Sequence, residues 1–132
     1  MTKPTIISDI YLTTMNIQGK VWGQTSQIFC KNNVEVNRIV GKAGGYCSKH
    51  RHAFKWNMFF VECGSLLISS WMPYGLVDVT VLKAGQSCQI PPQTPHKFEV
   101  LEDNTVAYEI YWTQLDSEDI VRETVGGAHD DR

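Results

Sequence analysis

Three of the four histidines stand at spacings that suit a metal ion. His50-Arg51-His52 sets two imidazoles two residues apart. On an extended strand such residues point the same way, so both rings can face inward while Arg51 faces out. Two neutral imidazoles on one face make a clamp for a divalent transition metal: Zn, Fe, Ni, Mn or Co. His96 follows Pro91-Pro92-Gln93-Thr94-Pro95 and opens a segment that sends His96, Phe98 and Val100 to one face. Surface His-x-His pairs without metal are common, and a histidine after a proline-rich turn is often structural. The inference rests on the three together, framed by Gly45, Gly64, Gly85 and Pro91.

The elements that must position these residues read as strands and turns. Between Val34 and Trp112, short runs rich in Val, Ile, Phe, Tyr and Thr alternate with turn signals. Val34–Val40, Asn57–Val61, Leu66–Trp71, Val77–Leu82, Gln89-Ile90, His96–Val100 and Thr105–Trp112 are the expected strands. The last carries Val106, Tyr108, Ile110 and Trp112 on one face, with Ala107, Glu109 and Tyr111 on the other. Strands at this spacing predict an all-β sandwich or barrel. A short C-terminal helix is expected at Ser117–Glu123, with Ser117 as N-cap and Glu118 and Asp119 in its first turn. The segment from Gly126 to Arg132 is expected to be loose.

The 132 residues suit one domain, and 42% hydrophobic with 20% charged residues is ordinary for a soluble globular protein. A net charge of -2 gives no basic footprint, so nucleic acid is not an expected partner. The longest apolar run, Met58-Phe59-Phe60-Val61, is far too short to span a bilayer. Met1-Thr2-Lys3-Pro4-Thr5 lacks the apolar core of a secretory signal, so a cytoplasmic location and no membrane partner are expected. Cys30, Cys47, Cys63 and Cys88 contain no Cys-x-x-Cys pair and read as small buried thiols rather than a redox or zinc-thiolate set.

The order of glycines, histidines and proline resembles the two sequence motifs of the cupin superfamily. The first runs from Gly45 to Gly64 as GYCSKHRHAFKWNMFFVECG, and the second from Gly85 to His96 as GQSCQIPPQTPH. The resemblance covers about Val34 to Trp112. It implies a double-stranded β-helix, a jelly-roll-like barrel in which facing hairpins bring both motifs to one metal. Under it, residues 1–33 form an N-terminal arm and edge strands, 34–115 the barrel, and 116–132 a short helix and loose tail. His50, His52 and His96 take the family's histidine positions. The family's acidic ligand falls at position 57, where this chain has Asn57. A neutral amide oxygen is a weaker ligand than a carboxylate. It would leave a bound ion its full charge and more Lewis acidity, while weakening retention of hard ions such as Mn.

A narrower resemblance is to the cupin domain of type II mannose-6-phosphate isomerase. It rests on Val21-Trp22-Gly23, the segment Glu35–Val40, Ile90-Pro91-Pro92-Gln93-Thr94-Pro95-His96 and Glu118-Asp119-Ile120-Val121-Arg122. That family carries Gln-x-His and Arg-x-Glu-His-Trp where this chain has His50-Arg51-His52 and Lys55-Trp56-Asn57-Met58. The resemblance implies a small-molecule ligand of the sugar or sugar-phosphate class and aldose–ketose isomerisation. That reaction needs an electrophile at the carbonyl and a base between adjacent carbons. Glu109 can be that base only if it faces inward, and Lys55 and Arg51 are candidate phosphate attractors. Two other functions stay open: a three-histidine Fe(II) dioxygenase acting on a small molecule, and a non-catalytic small-ligand-binding protein. Resemblance to other cupins also implies a homodimer, in which exposed edge strands gain by pairing.

Overall fold

Alternation of buried and exposed side chains builds the strands, and it is cleanest where the chain approaches the histidines. In a computed structural model of the protein, residues 12, 14–113, 118, 119, 121, 122 and 126 are described. Nine strands follow in chain order: β1 Asn16–Lys20, β2 Gly23–Lys31, β3 Val34–Gly41, β4 Lys55–Cys63, β5 Ser65–Trp71, β6 Val77–Lys83, β7 Ser87–Ile90, β8 His96–Val100 and β9 Thr105–Thr113. They form an antiparallel six-stranded sheet in the order β1-β2-β3-β9-β4-β7 and a three-stranded sheet in the order β6-β5-β8. The architecture is all-β, with one 3-10 turn at Pro73–Gly75 among the described residues.

The period of two decides what faces the core. In β8, His96, Phe98 and Val100 are buried while Lys97 and Glu99 are half-buried. In β4 the buried set is Asn57, Phe59 and Val61, and in β9 it is Thr105, Ala107 and Glu109. Glu109 and Tyr111 therefore share the inward parity of β9, and Tyr108 and Trp112 stand on the other side. Phe59 and Phe98 meet edge to face at 5.9 Å between the sheets, and Trp22 caps Phe98 at 4.9 Å and 84°. Truncating such a ring costs about 3–5 kcal/mol. The core thus lies directly beneath His96.

Two of the framing glycines are required by close approach. A Cβ on Gly45 would lie 2.7 Å from the Trp22 side chain and 2.8 Å from its backbone. Gly64 joins β4 to β5 at φ +82, where a side chain would be strained and would meet Thr105 Oγ1. Both positions exclude larger residues for packing reasons and carry no chemistry of their own.

Three expectations need correction. Residues 50–52 are not on a strand. His50 makes an isolated bridge to His96, and Arg51 and His52 have no regular structure. The helix expected at Ser117–Glu123 falls partly outside the described residues, and Glu118, Asp119, Val121 and Arg122 are not helical. Of the loose tail, only Gly126 is described. Cys47 and Cys88 pack against the core as expected, but Cys30 and Cys63 are exposed. All four cysteines are free, and burial pushes the Cys47 and Cys88 thiols up to about 11. Among the described residues no helix is long and apolar enough to cross a membrane.

Candidate metal centre

The segment between β3 and β4 carries two of the histidines without forming a strand. It is held against the free edge of β8 by backbone hydrogen bonds. Val100 N donates to Gly45 O at 2.7 Å, and Cys47 N to Phe98 O at 3.2 Å. His50 N donates to His96 O at 3.1 Å, and His96 N donates back to His50 O at 2.8 Å. His52 is fixed from the proline-rich turn: Gln93, at φ 67, donates its N–H to His52 O at 2.7 Å and its side-chain amide to Ala53 O at 3.2 Å. Same-face placement of His50 and His52 is thus reached through cross-links to β8 and its leading turn.

These ties bring the three rings together. Ring centroids lie 4.7 Å apart for His50 and His96, 5.1 Å for His50 and His52, and 5.5 Å for His52 and His96. One ring nitrogen from each lies within 4.8 Å of the others, close enough for side-chain rotation to bring them onto one ion.

The hydrogen bonds orient the lone pairs. His50 Nδ1 lies 2.8 Å from Ser48 O, and His96 Nδ1 lies 2.9 Å from Thr94 O. A carbonyl only accepts, so each Nδ1 carries the proton and each Nε2 keeps its lone pair. This is how metal-binding histidines are commonly held, with the remote N–H tied to a carbonyl. His52 Nε2 is buried with no hydrogen-bond partner. Burial, with His50, His96 and Lys55 adding positive charge, pushes His52 down to about 4. Burial also lowers His96. Both are neutral at neutral pH, the form that binds metal.

Asn57 stands beside His96. Its Nδ2 donates to His96 Nε2 at 3.1 Å, while its Oδ1 is buried without a partner. Reversing the amide would set two lone pairs against each other unless a cation lay between them. An unpaired buried acceptor costs about 1–3 kcal/mol. Two buried atoms, His52 Nε2 and Asn57 Oδ1, are thus left without partners beside a group of three ring nitrogens within 4.8 Å of one another, and the residues fit a divalent metal.

Glu109 faces inward and is 9% exposed. Tyr111 Oη donates to Glu109 Oε2 at 2.5 Å, and the Tyr111 ring lies edge-on to His52 at 5.1 Å. Burial pushes the carboxyl of Glu109 up, and burial together with Glu109 pushes the Tyr111 phenol up. Lys55 lies over the Tyr111 ring at 5.2 Å, while Arg51 is exposed. Phe59 and Val61 are core residues, with Phe59 edge-on to His96 at 6.2 Å. Sequence reasoning missed the contact between Tyr111 and His52, although the register that pairs Asn57 with Tyr111 was its necessary condition.

No protein-family model matches the sequence. No curated protein matches it. Solved structures do. KdgF from Halomonas sp. is 15% identical with a TM-score of 0.65, covering 76% of this chain and 89% of that one. A structure concerned with the Mn(II) centres of Bacillus subtilis oxalate decarboxylase is also 15% identical, with a TM-score of 0.68 over 80% of this chain. That match takes in 29% of the oxalate decarboxylase chain, so this chain spans about a third of that enzyme's length. At these identities the likeness carries the fold. The chain is an all-β protein of the cupin fold, with three histidines converging between its sheets.

Proposed function

We propose that the protein is a metal-dependent cupin in which His50, His52 and His96 bind one divalent transition ion through Nε2, with Asn57 Oδ1 beside it. The observation that carries this reading is the gathering of one ring nitrogen from each histidine within 4.8 Å, with the Nδ1–H bonds to Ser48 O and Thr94 O leaving the Nε2 lone pairs of His50 and His96 for a ligand. Elemental analysis of the purified protein beside His50→Ala and His96→Ala tests it. Equal metal content in all three sinks the proposal.

The activity we assign is isomerisation or epimerisation of a sugar-class substrate, including sugar phosphates of the mannose 6-phosphate kind. A bound ion would supply Lewis acidity toward a carbonyl or hydroxyl oxygen. Glu109 meets the condition that its role required, since it faces inward. Burial raises the Glu109 carboxyl above the ordinary carboxyl range, which strengthens its carboxylate as a base, and Tyr111 fixes which oxygen is hydrogen-bonded. Lys55 stands where it can attract an anionic group. Turnover across a metal-loaded sugar and sugar-phosphate panel, lost in Glu109→Gln, is the expected result; no turnover by the parent protein counts against the assignment.

A second reading is favoured by one observation. Asn57 replaces a carboxylate, so the donor set is neutral, as suits Fe(II) chemistry with O₂ and a small molecule. Anaerobic Fe(II) reconstitution followed by oxygen uptake tests it, and uptake that ignores added substrate argues against it. A non-catalytic binding role predicts ligand-dependent thermal stabilisation without product.

We further propose a cytoplasmic homodimer. In the exposed edge strand β6, Val77, Val79 and Val81 are exposed and alternate with Asp78 and Thr80. This order is self-complementary about Val79 in an antiparallel two-fold pairing. Sedimentation of the parent against Val79→Lys checks it, with a monomeric parent as the contrary outcome.

A further inference from the structure

The inner face of the six-stranded sheet continues well beyond the histidines. Strand register carries it across: Asn57 pairs with Tyr111, Tyr111 with Glu35, Glu109 with Asn37, Asn37 with Gln27, and Gln27 with Asn16. Paired residues share a face, so these side chains stand on the side that holds the buried Ile39 and Ala107. Four strand spacings of about 4.8 Å put Asn16 roughly 19 Å from Asn57. Between them, Asn16, Gln18, Thr25, Gln27, Glu35 and Asn37 line a cavity of about 280 Å³.

The chemistry of that lining is narrow. Three carboxamides and a hydroxyl (Asn16, Gln18, Gln27 and Thr25) make no side-chain hydrogen bond to another described residue. Asn37 donates to Glu35 Oε2 at 2.8 Å, which orients both groups. Carboxamides offer donors and acceptors side by side, which is the pattern of a hydroxyl-rich partner. The lining itself holds no cation, although Lys20 stands on the same face of β1 and near enough to Glu109 to lower its pKa. Lys20 and Lys55 lie outside the lining, and Glu35 repels anions. Asn16, Gln18 and Gln27 are exposed while Thr25, Glu35 and Asn37 are half-buried, so the trough opens to solvent along β1 and β2 and is floored from the β3 side. The volume is near the lower end of small-molecule sites, about 300 Å³, and fits one ring rather than an extended chain.

We propose that this trough between β1 and β3 is a binding subsite for a neutral polyhydroxyl unit of hexose size. It deepens the sugar-class reading above, and rests on that reading only in taking the inner face as the ligand side. Anionic groups are assigned to the end near Lys55 and the histidines, not to the trough.

Side-chain NH₂ resonances of Asn16, Gln18, Gln27 and Asn37 in ¹⁵N-labelled protein provide the readout. The probes are methyl glucopyranoside, methyl mannopyranoside, methyl galactopyranoside and mannitol, with inorganic phosphate as the anionic comparison. At least one neutral probe should shift the Gln27 and Asn37 signals saturably, and phosphate should leave them in place. Gln27→Leu should weaken that binding about tenfold. Gln18→Leu, on exposed β1, provides a second variant with little risk to folding. The proposal is overturned if no neutral probe at tens of millimolar moves these signals, if phosphate moves them equally, or if both leucine variants bind unchanged. The same titration in His50→Ala should retain the shifts, since the trough lies strands away. The metal content of that variant decides the metal proposal separately.

Discussion

The two walls of the site are built by different means. On one wall, His50 and His52 stand on a segment with no regular strand, pinned by backbone hydrogen bonds to β8 and its leading turn. On the other, Asn57, Glu109 and Tyr111 stand on paired strands β4 and β9, where register sets their positions. The irregular wall supplies nitrogen lone pairs. The regular wall supplies an amide, a carboxyl and a phenol. Irregular backbone can set the angle of each imidazole ring individually, whereas a sheet offers only the spacing of its pleat.

The largest expected effect breaks the histidine side of the site, the irregular segment together with the strand β8 that pins it. His52→Ala and His96→Ala should each lower metal affinity by about a hundredfold or more, measured by competition with a chromophoric chelator. Asn57→Ala, on the regular wall, should cost far less affinity. Comparable losses at Asn57 and His52 would mean that the two walls share the ion equally.

Stability sharpens the comparison next. Gly64→Ala strains the β4–β5 junction of the regular wall at a positive φ and forces Thr105 to move, costing about 2–3 kcal/mol in denaturant unfolding. Gln93→Ala removes one hydrogen bond from the irregular wall and should cost about 1 kcal/mol. The loss should fall mainly on protection of the amides near His52.

Acidity separates the walls by sign. In metal-free protein, His52 has a folded pKa of about 4 and His96 is also lowered, both beneath an unfolded value of about 6.5. The unfolded chain binds more protons in that window, so their contribution is complete above pH 6.5 and is lost as pH falls toward 4. Glu109 acts oppositely. Its raised pKa means the folded chain holds the proton longer, so its contribution diminishes as pH rises above the ordinary carboxyl range. Glu109→Gln should therefore raise stability at pH 7 by about 1 kcal/mol, the smallest of these effects, and steepen the remaining acid loss. Thermal melts from pH 4 to 8 in chelator read both, and a Glu109→Gln variant less stable at pH 7 would contradict the burial argument.

Much of this arrangement was legible in the residues. Alternation of apolar and polar types placed most strand ends between Val34 and Trp112 within a residue or two, because a half-buried strand writes its period directly into the chain. His96 with Phe98 and Val100 shared a buried face as expected. His50 and His52 converged with His96, yet not because a strand aligned them. The rings share a side through backbone cross-links to β8, and the strand expected at residues 50–52 is absent. What hid this was tertiary: the cross-links from Gly45, Cys47 and His50 to β8 join residues about fifty positions apart. The same limit applied to Glu109, whose direction required knowing which face of β9 met the other sheet. The amide-lined trough was hidden for a related reason. Asn16, Gln27 and Asn37 are unremarkable polar residues until register sets them in a row.

The reciprocal bridge between His50 and His96 has a consequence for how such a centre can change over evolutionary time. Each residue donates its own amide to the other's carbonyl, so the two positions are held by backbone rather than by their imidazoles. A cysteine, aspartate or glutamine at either place would inherit the same location. Which donor atom stands at the centre is thereby uncoupled from where it stands, and preference among metals can drift by single substitutions while the scaffold stays fixed.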